Sequence, residues 1–464
     1  MRRGPPRAAP AASAALLALL ALLAGFALPS CGRPADAGRP KVALIGIDGA
    51  TFTVIDPLLA QGRLPNIAGL IRRGARMVLR SSHESQDSPV LWSTIATGAG
   101  MEAHGITGFL KEDGQGGRLF ASSDRRLPAL WNLVDSRGGS VGVVGWWNTW
   151  PAEHVDGYIV SDRFAQSLYQ RNFGGGDWKG ICFPAELEAE LQPLSRPPDA
   201  LSRERLAALG EFTDDEWAAL QGGDAGVPVV TGNGLVALKY GLQAQDSVAD
   251  AALHLLDARP QPDLFCLFLE LPDRAGHNFW SMYQPQAVRG GPDAVDAGWR
   301  ARWAGVVPGA YEMVDAILGR VLARLDPDTT VILVSDHGMR SNGRPGGSPD
   351  ALDRLGRSGV HDPDGILIAA GPAIAPGSAA VADLLDVVPT VLAALGLPAT
   401  TQCARPPLAA LLATEFLERH PLLPARDEPP LQPREEVYDG AMDAERLSQL
   451  RATGYLGGEE TDER

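Results

Sequence analysis

Short apolar runs bounded by turn-forming residues alternate along the chain with stretches of helical length. Such runs predict buried strands. The clearest are KVALIGID ending at Asp48, VGVVGWW after Ser140, DLFCLFLE after Pro262, TTVILVSD ending at Asp336 and GILIAA after Asp364. Between them, the apolar positions from Val314 to Leu325 fall on one face of a predicted helix. Continuous apolar strands that alternate with helices predict an α/β fold whose mostly parallel sheet is covered on both faces.

Two regions interrupt this pattern. Residues 164–250 lack comparable strands and are rich in Ala, Leu, Glu and Asp. We therefore predict a mainly helical insertion, or cap, within a catalytic domain of residues 41–410. Residues 411–464 are charged and rich in proline, which predicts a C-terminal tail.

The first thirty residues have the layout of an export signal. Three arginines precede an apolar run, which ends in the sequence LPSC at Cys31. This ending resembles a bacterial lipobox, in which the cysteine becomes lipid-modified. We expect residues 1–30 to be a signal peptide of the lipoprotein type, with Cys31 as the first mature residue and the membrane anchor. Plain secretion or an uncleaved anchor is the alternative, and in either case the working domain is predicted to lie in the periplasm or cell envelope.

Charge and cysteine content narrow the classes of function. The formal net charge of -15 argues against a nucleic-acid scaffold, because such proteins need a basic surface to neutralise backbone phosphates. A small phosphorylated substrate is compatible with this charge if bound cations offset the local repulsion. Cys182, Cys266 and Cys403 form no CxxC pair, so the sequence does not predict a cysteine zinc site. An oxidising compartment would permit a disulfide between Cys182 and Cys403.

Carboxylates and imidazoles near the predicted strand ends form the candidate site, because ligands bind beyond the carboxyl ends of strands in such sheets. These groups are Asp48, Asp273, His277, Asp336, His337 and His361. Asp273 and His277 belong to PDRAGH, a spacing that one turn of chain can direct at a single ion, and His361 is expected in a loop. Mixed imidazole and carboxylate ligands suit zinc or manganese, and six groups exceed what one four-coordinate ion uses. The sequence therefore predicts two divalent metal ions.

The segment QDSPVLWSTIATG offers a hydroxyl nucleophile near those ions. Ser88 followed by Pro89 has the form of an N-cap and a first helical residue. The Ser88 oxygen would then lie at a helix N-terminus, where free backbone N–H groups and the helix dipole favour a phosphate. Ser93 and Thr94 lie more than a turn inside the same helix. The alternative interpretation is that Ser88 is only a helix cap.

Together these segments resemble a known family. The ordered set VALIGIDG, DSPVLWSTIATG, EAHGI, LPDRAGH, SDHGM and GVH before DGILIAAGP is similar to the type I phosphodiesterase and nucleotide pyrophosphatase family of the alkaline phosphatase superfamily. The resemblance extends from Lys41 to about Gly396. It implies an alkaline-phosphatase-like three-layer α/β/α fold and metal-dependent hydrolysis of phosphate esters.

The resemblance also implies roles for particular residues. One metal ion would be held by Asp48, Asp336 and His337, and the other by Asp273, His277 and His361. The family has a threonine or serine ten residues before the glycine of the TG pair, which implies that Ser88 is the nucleophile and contacts the first ion. The family's proline commonly comes two residues after the nucleophile, whereas Pro89 comes one after, so Thr94 and Ser93 stay open as alternatives.

Two departures from the family pattern bear on the substrate. Nucleotide pyrophosphatases usually place an aromatic residue directly after the nucleophile and an asparagine shortly after HGI, whereas this chain has Pro89-Val90 and Thr107-Gly108-Phe109. Nucleotide specificity is therefore not implied. Sulfate-ester hydrolysis is disfavoured because the sequence has no Cys-x-Pro-x-Arg pattern. We expect hydrolysis of phosphodiester or pyrophosphate bonds through a covalent phosphoserine or phosphothreonine. Phosphomonoester hydrolysis and a non-catalytic, lipid-anchored metal-binding protein are the alternatives.

Overall fold

The structure is a computed structural model that describes residues 1, 4, 38–82, 85–112, 118–165, 179–197, 200–221, 234–344, 357–377, 381–428 and 431. Residues 40–464 form one unit, and residues 1–39 form another, of which only residues 1, 4, 38 and 39 are described. Cys31 and almost all of the predicted signal peptide lie outside the described residues, as does the predicted tail beyond residue 431. Within the described part of the chain, no helix has the length and apolar character needed to cross a membrane.

The strands form one large sheet and two small hairpins. Their bounds are β1 (Lys41–Ile47), β2 (Ala75–Arg80), β3 (Leu110–Lys111), β4 (Arg118–Leu119), β5 (Val141–Val144), β6 (Gly157–Val160), β7 (Cys182–Phe183), β8 (Leu264–Leu269), β9 (Thr329–Val334), β10 (Gly338–Ser341), β11 (Gly359–Asp362), β12 (Asp364–Ala370) and β13 (Val381–Asp383). The nine-stranded sheet has the order β13-β2-β12-β9-β1-β8-β5-β6-β7, and the hairpins are β3-β4 and β10-β11.

Most strand pairs in the large sheet are parallel. The parallel pairs are β1-β8, β1-β9, β5-β8, β5-β6 and β2-β13. The antiparallel pairs are β2-β12, β9-β12 and β6-β7. The central strands β1, β8 and β9 are therefore all parallel, and their carboxyl ends lie on the same side of the sheet.

The helices lie between the strands in chain order. Their bounds are α1 (Phe52–Ala60), α2 (Pro65–Arg73), α3 (Ser88–Thr97), α4 (Met101–His104), α5 (Leu130–Ser136), α6 (Glu186–Leu191), α7 (Arg203–Ala207), α8 (Asp214–Gln221), α9 (Gly234–Ala258), α10 (Leu271–Tyr283), α11 (Ala297–Trp303), α12 (Val306–Leu322), α13 (Val387–Ala394) and α14 (Thr414–Arg419).

Side chains of the central strands alternate between two apolar cores, as the pleat of a strand requires. In β1, Ala43 and Ile45 face a core shared with α1, α2, α9, α10 and α12. Val42 and Leu44 face a second core, shared with α3, α5 and α13. Helices thus cover both faces of a mostly parallel sheet, which confirms the predicted three-layer α/β/α fold.

The five predicted strands are present, although the run VGVVGWW leaves the sheet after Val144. The predicted helix is α12, which ends at Leu322 rather than reaching Leu325. In the described part of residues 164–250 the chain forms α6, α7, α8 and most of α9, together with β7 at the sheet edge. The described part of this region is therefore mainly helical, and the insertion and the domain limits stay predictions.

Candidate metal centre and active site

The turns that follow β1 and β9 bring three of the predicted ligands together. Gly46 of β1 pairs with Val334 of β9, so Asp48 and the pair Asp336-His337 leave the sheet side by side. All three side chains are fully buried. The Nε2 atom of His337 lies 3.4 Å from Asp48 Oδ1 and 3.6 Å from Asp336 Oδ2.

Helix α10 supplies Asp273 and His277 from the end of the neighbouring strand β8. The two residues lie one helical turn apart, which places their side chains on the same face. His277 Nε2 is 3.2 Å from Asp273 Oδ1, as the PDRAGH spacing predicts. Gly49 permits the close approach of this helix to the turn after β1, because a Cβ atom at Gly49 would lie only 2.8 Å from the Cα atom of Asp273.

His361 reaches the site from the hairpin β10-β11. The prediction that it lies in a loop is wrong, because it occupies β11 and pairs with Met339 of β10. Its Nε2 atom lies 3.5 Å from Asp273 Oδ1 and 2.8 Å from His277 Nε2. The hairpin packs directly on α10, since a Cβ atom at Gly359 would lie 2.3 Å from the Gly276 carbonyl oxygen. The glycine of PDRAGH therefore belongs to a close backbone contact.

The hydrogen bonds of the three imidazoles fix their tautomers. The Nδ1 atoms of His277, His337 and His361 donate to the carbonyl oxygens of Gly359 at 3.1 Å, Gly338 at 2.9 Å and Gln86 at 2.9 Å, respectively. A neutral imidazole that carries its proton on Nδ1 has a lone pair on Nε2. All three Nε2 lone pairs are therefore available as metal ligands, in the arrangement usual for histidine ligands.

The electrostatics of the cluster match a cation site. Burial raises the pKa of the Asp48 carboxyl well above its usual value, and the neighbouring Asp336 and Asp273 carboxylates raise it further. Burial raises the pKa of Asp336 to about 6, and it lowers the pKa of all three imidazoles. Both carboxylate oxygens of Asp48 and of Asp336 have no hydrogen-bond partner among the described residues. A divalent cation would remove the cost of burying these anions.

The donor set therefore fits metal ions. Within the described residues, two groups have ligand atoms close enough to hold an ion: Asp48, Asp336 and His337 in the first, and Asp273, His337 and His361 in the second. His277 adjoins the second group, because its Nε2 atom lies 3.2 Å from Asp273 Oδ1 and 2.8 Å from His361 Nε2. The structure brings all six predicted ligands together, and their division between two ions stays a prediction.

Ser88 lies on the segment that supports His361. The Gln86 carbonyl, two residues before Ser88, accepts the His361 Nδ1 proton. Ser88 is fully buried, and its Oγ atom has no hydrogen-bond partner among the described residues. The predicted N-cap is wrong by one residue, because Asp87 is the N-cap and Ser88 is the first residue of α3.

The shift of the N-cap from Ser88 to Asp87 changes the backbone N–H groups that were expected to bind a phosphate. Pro89 has no N–H, and the Val90 N–H donates to the Asp87 carbonyl at 2.9 Å. The number of free N–H groups at this end of α3 is therefore smaller than predicted.

The two alternative hydroxyls of α3 already have partners. Thr94 Oγ1 donates to the Val90 carbonyl at 3.0 Å and lies 3.2 Å from His104 Nε2. His104 Nδ1 accepts the Ile106 N–H at 3.1 Å, so its proton is on Nε2 and is donated to Thr94. Ser93 Oγ accepts from the side-chain amide of Asn148 at 3.0 Å.

The structure also places residues at the site that the sequence did not indicate. Ser335 accepts the Ala50 N–H at 2.8 Å and donates to the His337 carbonyl at 2.7 Å, which ties together the turns after β1 and β9. Asn148 donates to the Pro89 carbonyl at 3.0 Å and holds the first turn of α3. The sequence gives one indication of a role for Ser335, its position directly before Asp336. That position does not reveal its contacts with Ala50 and His337.

Comparisons with known proteins agree with the family resemblance. The family model described as type I phosphodiesterase / nucleotide pyrophosphatase matches residues 42–386. A comparison with curated protein sequences gave no match.

Comparison with solved structures gave distant neighbours. One is phosphonoacetate hydrolase from Sinorhizobium meliloti 1021 in complex with phosphonoformate, with a TM-score of 0.38 and 19% identity over 67% of this chain and 58% of that chain. Another is a 2-O GAG sulfatase, with a TM-score of 0.46 and 15% identity over 80% of this chain and 73% of that chain. The chain thus spans 58% of the length of the matched hydrolase.

Proposed function

The chain belongs to the type I phosphodiesterase / nucleotide pyrophosphatase family, and we propose that it hydrolyses phosphodiester or pyrophosphate bonds of a small phosphorylated substrate, using two divalent metal ions and a phosphoserine formed at Ser88. The family membership makes it a phosphodiesterase/pyrophosphatase-like enzyme. The proposal depends on one observation. The Nε2 lone pairs of three histidines converge with buried carboxylates, and one of these histidines donates to Gln86, two residues before Ser88.

The proposed ligand sets follow the family pattern. Asp48, Asp336 and His337 would hold one ion, with Ser88 beside it, and Asp273, His277 and His361 would hold the other. Zinc is the first choice and manganese the second, because mixed imidazole and carboxylate ligands suit both. When bound, two such ions supply positive charge that lowers the pKa of a nearby hydroxyl and stabilises the oxygens that enter and leave phosphorus.

Ser88 is the proposed nucleophile because its hydroxyl is buried without a hydrogen-bond partner among the described residues, whereas the hydroxyls of Ser93 and Thr94 are engaged. In the first step, Ser88 Oγ loses its proton to solvent and forms a bond to phosphorus, while the bond from phosphorus to the alcohol oxygen breaks. The departing alkoxide takes up a proton. In the second step, water attacks phosphorus, the bond to Ser88 Oγ breaks, and the hydroxyl regains a proton.

The sequence of residues 1–31 supports an exported protein that is tethered to a membrane through a lipid on Cys31. The proposed place of action is the periplasm or cell envelope. Labelling of the expressed protein with a radioactive fatty acid, compared with a Cys31→Ala variant, tests the anchor.

The function is tested by the metal content of the purified protein, measured by mass spectrometry, together with hydrolysis of bis-p-nitrophenyl phosphate and p-nitrophenyl phosphate before and after chelation. We expect two ions per chain, chelator-sensitive cleavage and faster turnover of the diester. Ser88→Ala should keep both ions and lose turnover. Ser93→Ala should keep both ions and also keep turnover. Faster turnover of the monoester would identify a phosphomonoesterase. A folded protein that holds metal but cleaves neither ester would be a binding protein.

A further inference from the structure

A partly open cavity lies beside α10, the helix that carries Asp273 and His277. Its walls come from the residues that follow β5, β6 and β8, from α9, and from Arg274 of α10. Arg274 follows Asp273 in α10, so the helix that supplies two of the proposed ligands also forms part of the cavity wall. Trp147, Tyr240 and Phe268 give it apolar surface, which is typical of a pocket for an organic ligand.

Gln245 is the polar group in this cavity whose hydrogen-bonding needs are not met. Its side chain is 1% exposed and lines the cavity from α9. Neither its Oε1 nor its Nε2 atom has a hydrogen-bond partner among the described residues. Gln243, two residues earlier, differs because its amide donates to the Ala165 carbonyl at 3.3 Å. Buried amide groups are normally paired, so Gln245 offers one acceptor and two donors to a ligand.

The charges of the cavity disfavour an anionic ligand group. Among the described residues that line it, Asp162 and Glu270 carry carboxylates and Arg274 carries the one guanidinium. Arg274 is paired with Glu270 at 2.8 Å. The Asp162 carboxylate accepts the Trp150 N–H at 3.0 Å. A second phosphate or carboxylate in this cavity would meet an excess of negative charge.

Trp147 and Phe268 do not form a slot for a flat base. The rings of Trp147 and Phe268 meet edge to face, with centroids 6.3 Å apart and an interplanar angle of 75°. Stacking of a base between two rings requires parallel faces that are open to it. The residue after Ser88 is Pro89 rather than an aromatic residue.

We propose that this cavity binds an uncharged polyhydroxyl group of the substrate, such as a glycerol or sugar moiety esterified to the phosphate, and that Gln245 is the specificity-determining residue. The inference rests on the proposed function and names its substrate class. Vicinal hydroxyls both donate and accept, so they can satisfy the Gln245 amide. The C–H faces of such a group would pack on Trp147 and Phe268.

The test compares two phosphate monoesters with the same three-carbon skeleton and the same charge. Binding of sn-glycerol 3-phosphate and n-propyl phosphate is measured by calorimetry on the full chain supplied with zinc, in a Ser88→Ala background that prevents turnover. We expect sn-glycerol 3-phosphate to bind about tenfold more tightly, the value for two hydrogen bonds to a buried amide. Gln245→Leu should reduce that ratio to about one and leave n-propyl phosphate binding unchanged. Gln192→Leu, the same change at an exposed site of the described chain, should retain the ratio.

The outcomes separate this inference from the proposed function. Equal binding of the two esters by the chain with Gln245 intact would overturn the inference even if bis-p-nitrophenyl phosphate is hydrolysed. A preference that survives Gln245→Leu would also overturn it. Adenosine monophosphate that binds more tightly than sn-glycerol 3-phosphate, with the difference lost in Gln245→Leu, would assign the cavity to a nucleoside instead. A preference that depends on Gln245 in a protein without hydrolytic activity would keep the binding site and reject the function.

Discussion

The Nε2 atoms of His277 and His361 lie 2.8 Å apart, and each ring donates its Nδ1 proton to a backbone carbonyl. Two neutral imidazoles in this tautomer direct lone pairs at each other, which is repulsive unless a cation or a shared proton lies close to both. The Asp273 carboxylate adjoins both rings, with Oδ1 3.2 Å from His277 Nε2 and 3.5 Å from His361 Nε2. The geometry of the pair is that of ligands assembled for a cation.

Removing one ligand from this group should remove about one ion. His361→Ala and Asp273→Ala are each expected to lower bound metal by about one ion per chain and to nearly abolish turnover, because an ion that loses a ligand binds more weakly. Metal content by mass spectrometry and diester hydrolysis measure both effects. His154→Ala, at an exposed histidine that stacks on Phe183, is the control and should change neither. Full activity with unchanged metal in both ligand variants would overturn the two-metal assignment.

The hydroxyl of Thr94 should matter for stability rather than for chemistry. Thr94→Val keeps the shape of the side chain but leaves His104 Nε2 without its acceptor, which costs about 1–3 kcal/mol for a buried polar group. Chemical denaturation should show this loss in the free energy of unfolding, while turnover remains within about threefold of the original. A variant that is stable but inactive would instead make Thr94 the nucleophile.

Ser335 should act by holding two ligand-bearing turns at a fixed separation. Ser335→Ala removes the acceptor of the Ala50 N–H and the donor to the His337 carbonyl. We expect metal affinity to fall by about 10–100-fold, the range for residues that support metal ligands. Titration with zinc in the presence of a competing chelator measures the affinity. Ser136→Ala, whose hydroxyl donates to the Leu133 carbonyl at 3.0 Å and to the Glu428 carboxylate at 3.4 Å, should leave it unchanged. An equal loss in both variants would argue for a general effect on folding.

An ion-pair group away from the site should make stability depend on acid pH. Hydrogen bonds from Arg259 and His254 lower the pKa of Glu190 to about 2, below its unfolded value of about 4.3. A depressed carboxyl pKa stabilises the fold above the unfolded pKa, and this stabilisation is lost as pH falls towards the folded pKa. The difference in Tm between the native chain and Glu190→Gln should therefore be largest above about pH 5 and shrink towards pH 2.

The control for this prediction is Glu186→Gln, at an exposed glutamate of the same helix. It should show a smaller Tm difference at every pH. Added salt should reduce the Glu190 effect, because the pair is partly exposed and is screened. A Tm difference for Glu190→Gln that grows as pH falls would contradict the assigned sign.

The strands missed in the sequence differ from those that were predicted. β6, β7 and β13 are two to four residues long, too short for a period of two to be distinct. β2, with the sequence ARMVLR, alternates buried and partly exposed positions next to the short strand β13. The predicted strands β1, β8, β9 and β12 are almost entirely buried and therefore appear as continuous apolar runs.

The sequence by itself determined the parts of the site that depend on local structure. A buried parallel strand must end in a turn, so Asp48 and Asp336-His337 were placed at the same sheet edge by hydrophobic pattern alone. The four-residue spacing of Asp273 and His277 sets them on one helical face whatever the rest of the fold does.

Tertiary structure decided the contacts between segments distant in sequence. His361 joins His277 across 84 positions only because the backbones at Gly276 and Gly359 approach closely. Ser335 reaches Ala50 across 285 positions, and Gln245 faces a cavity built from other elements. These contacts depend on how packed layers fit together, and periodicity along the chain carries no information about that fit.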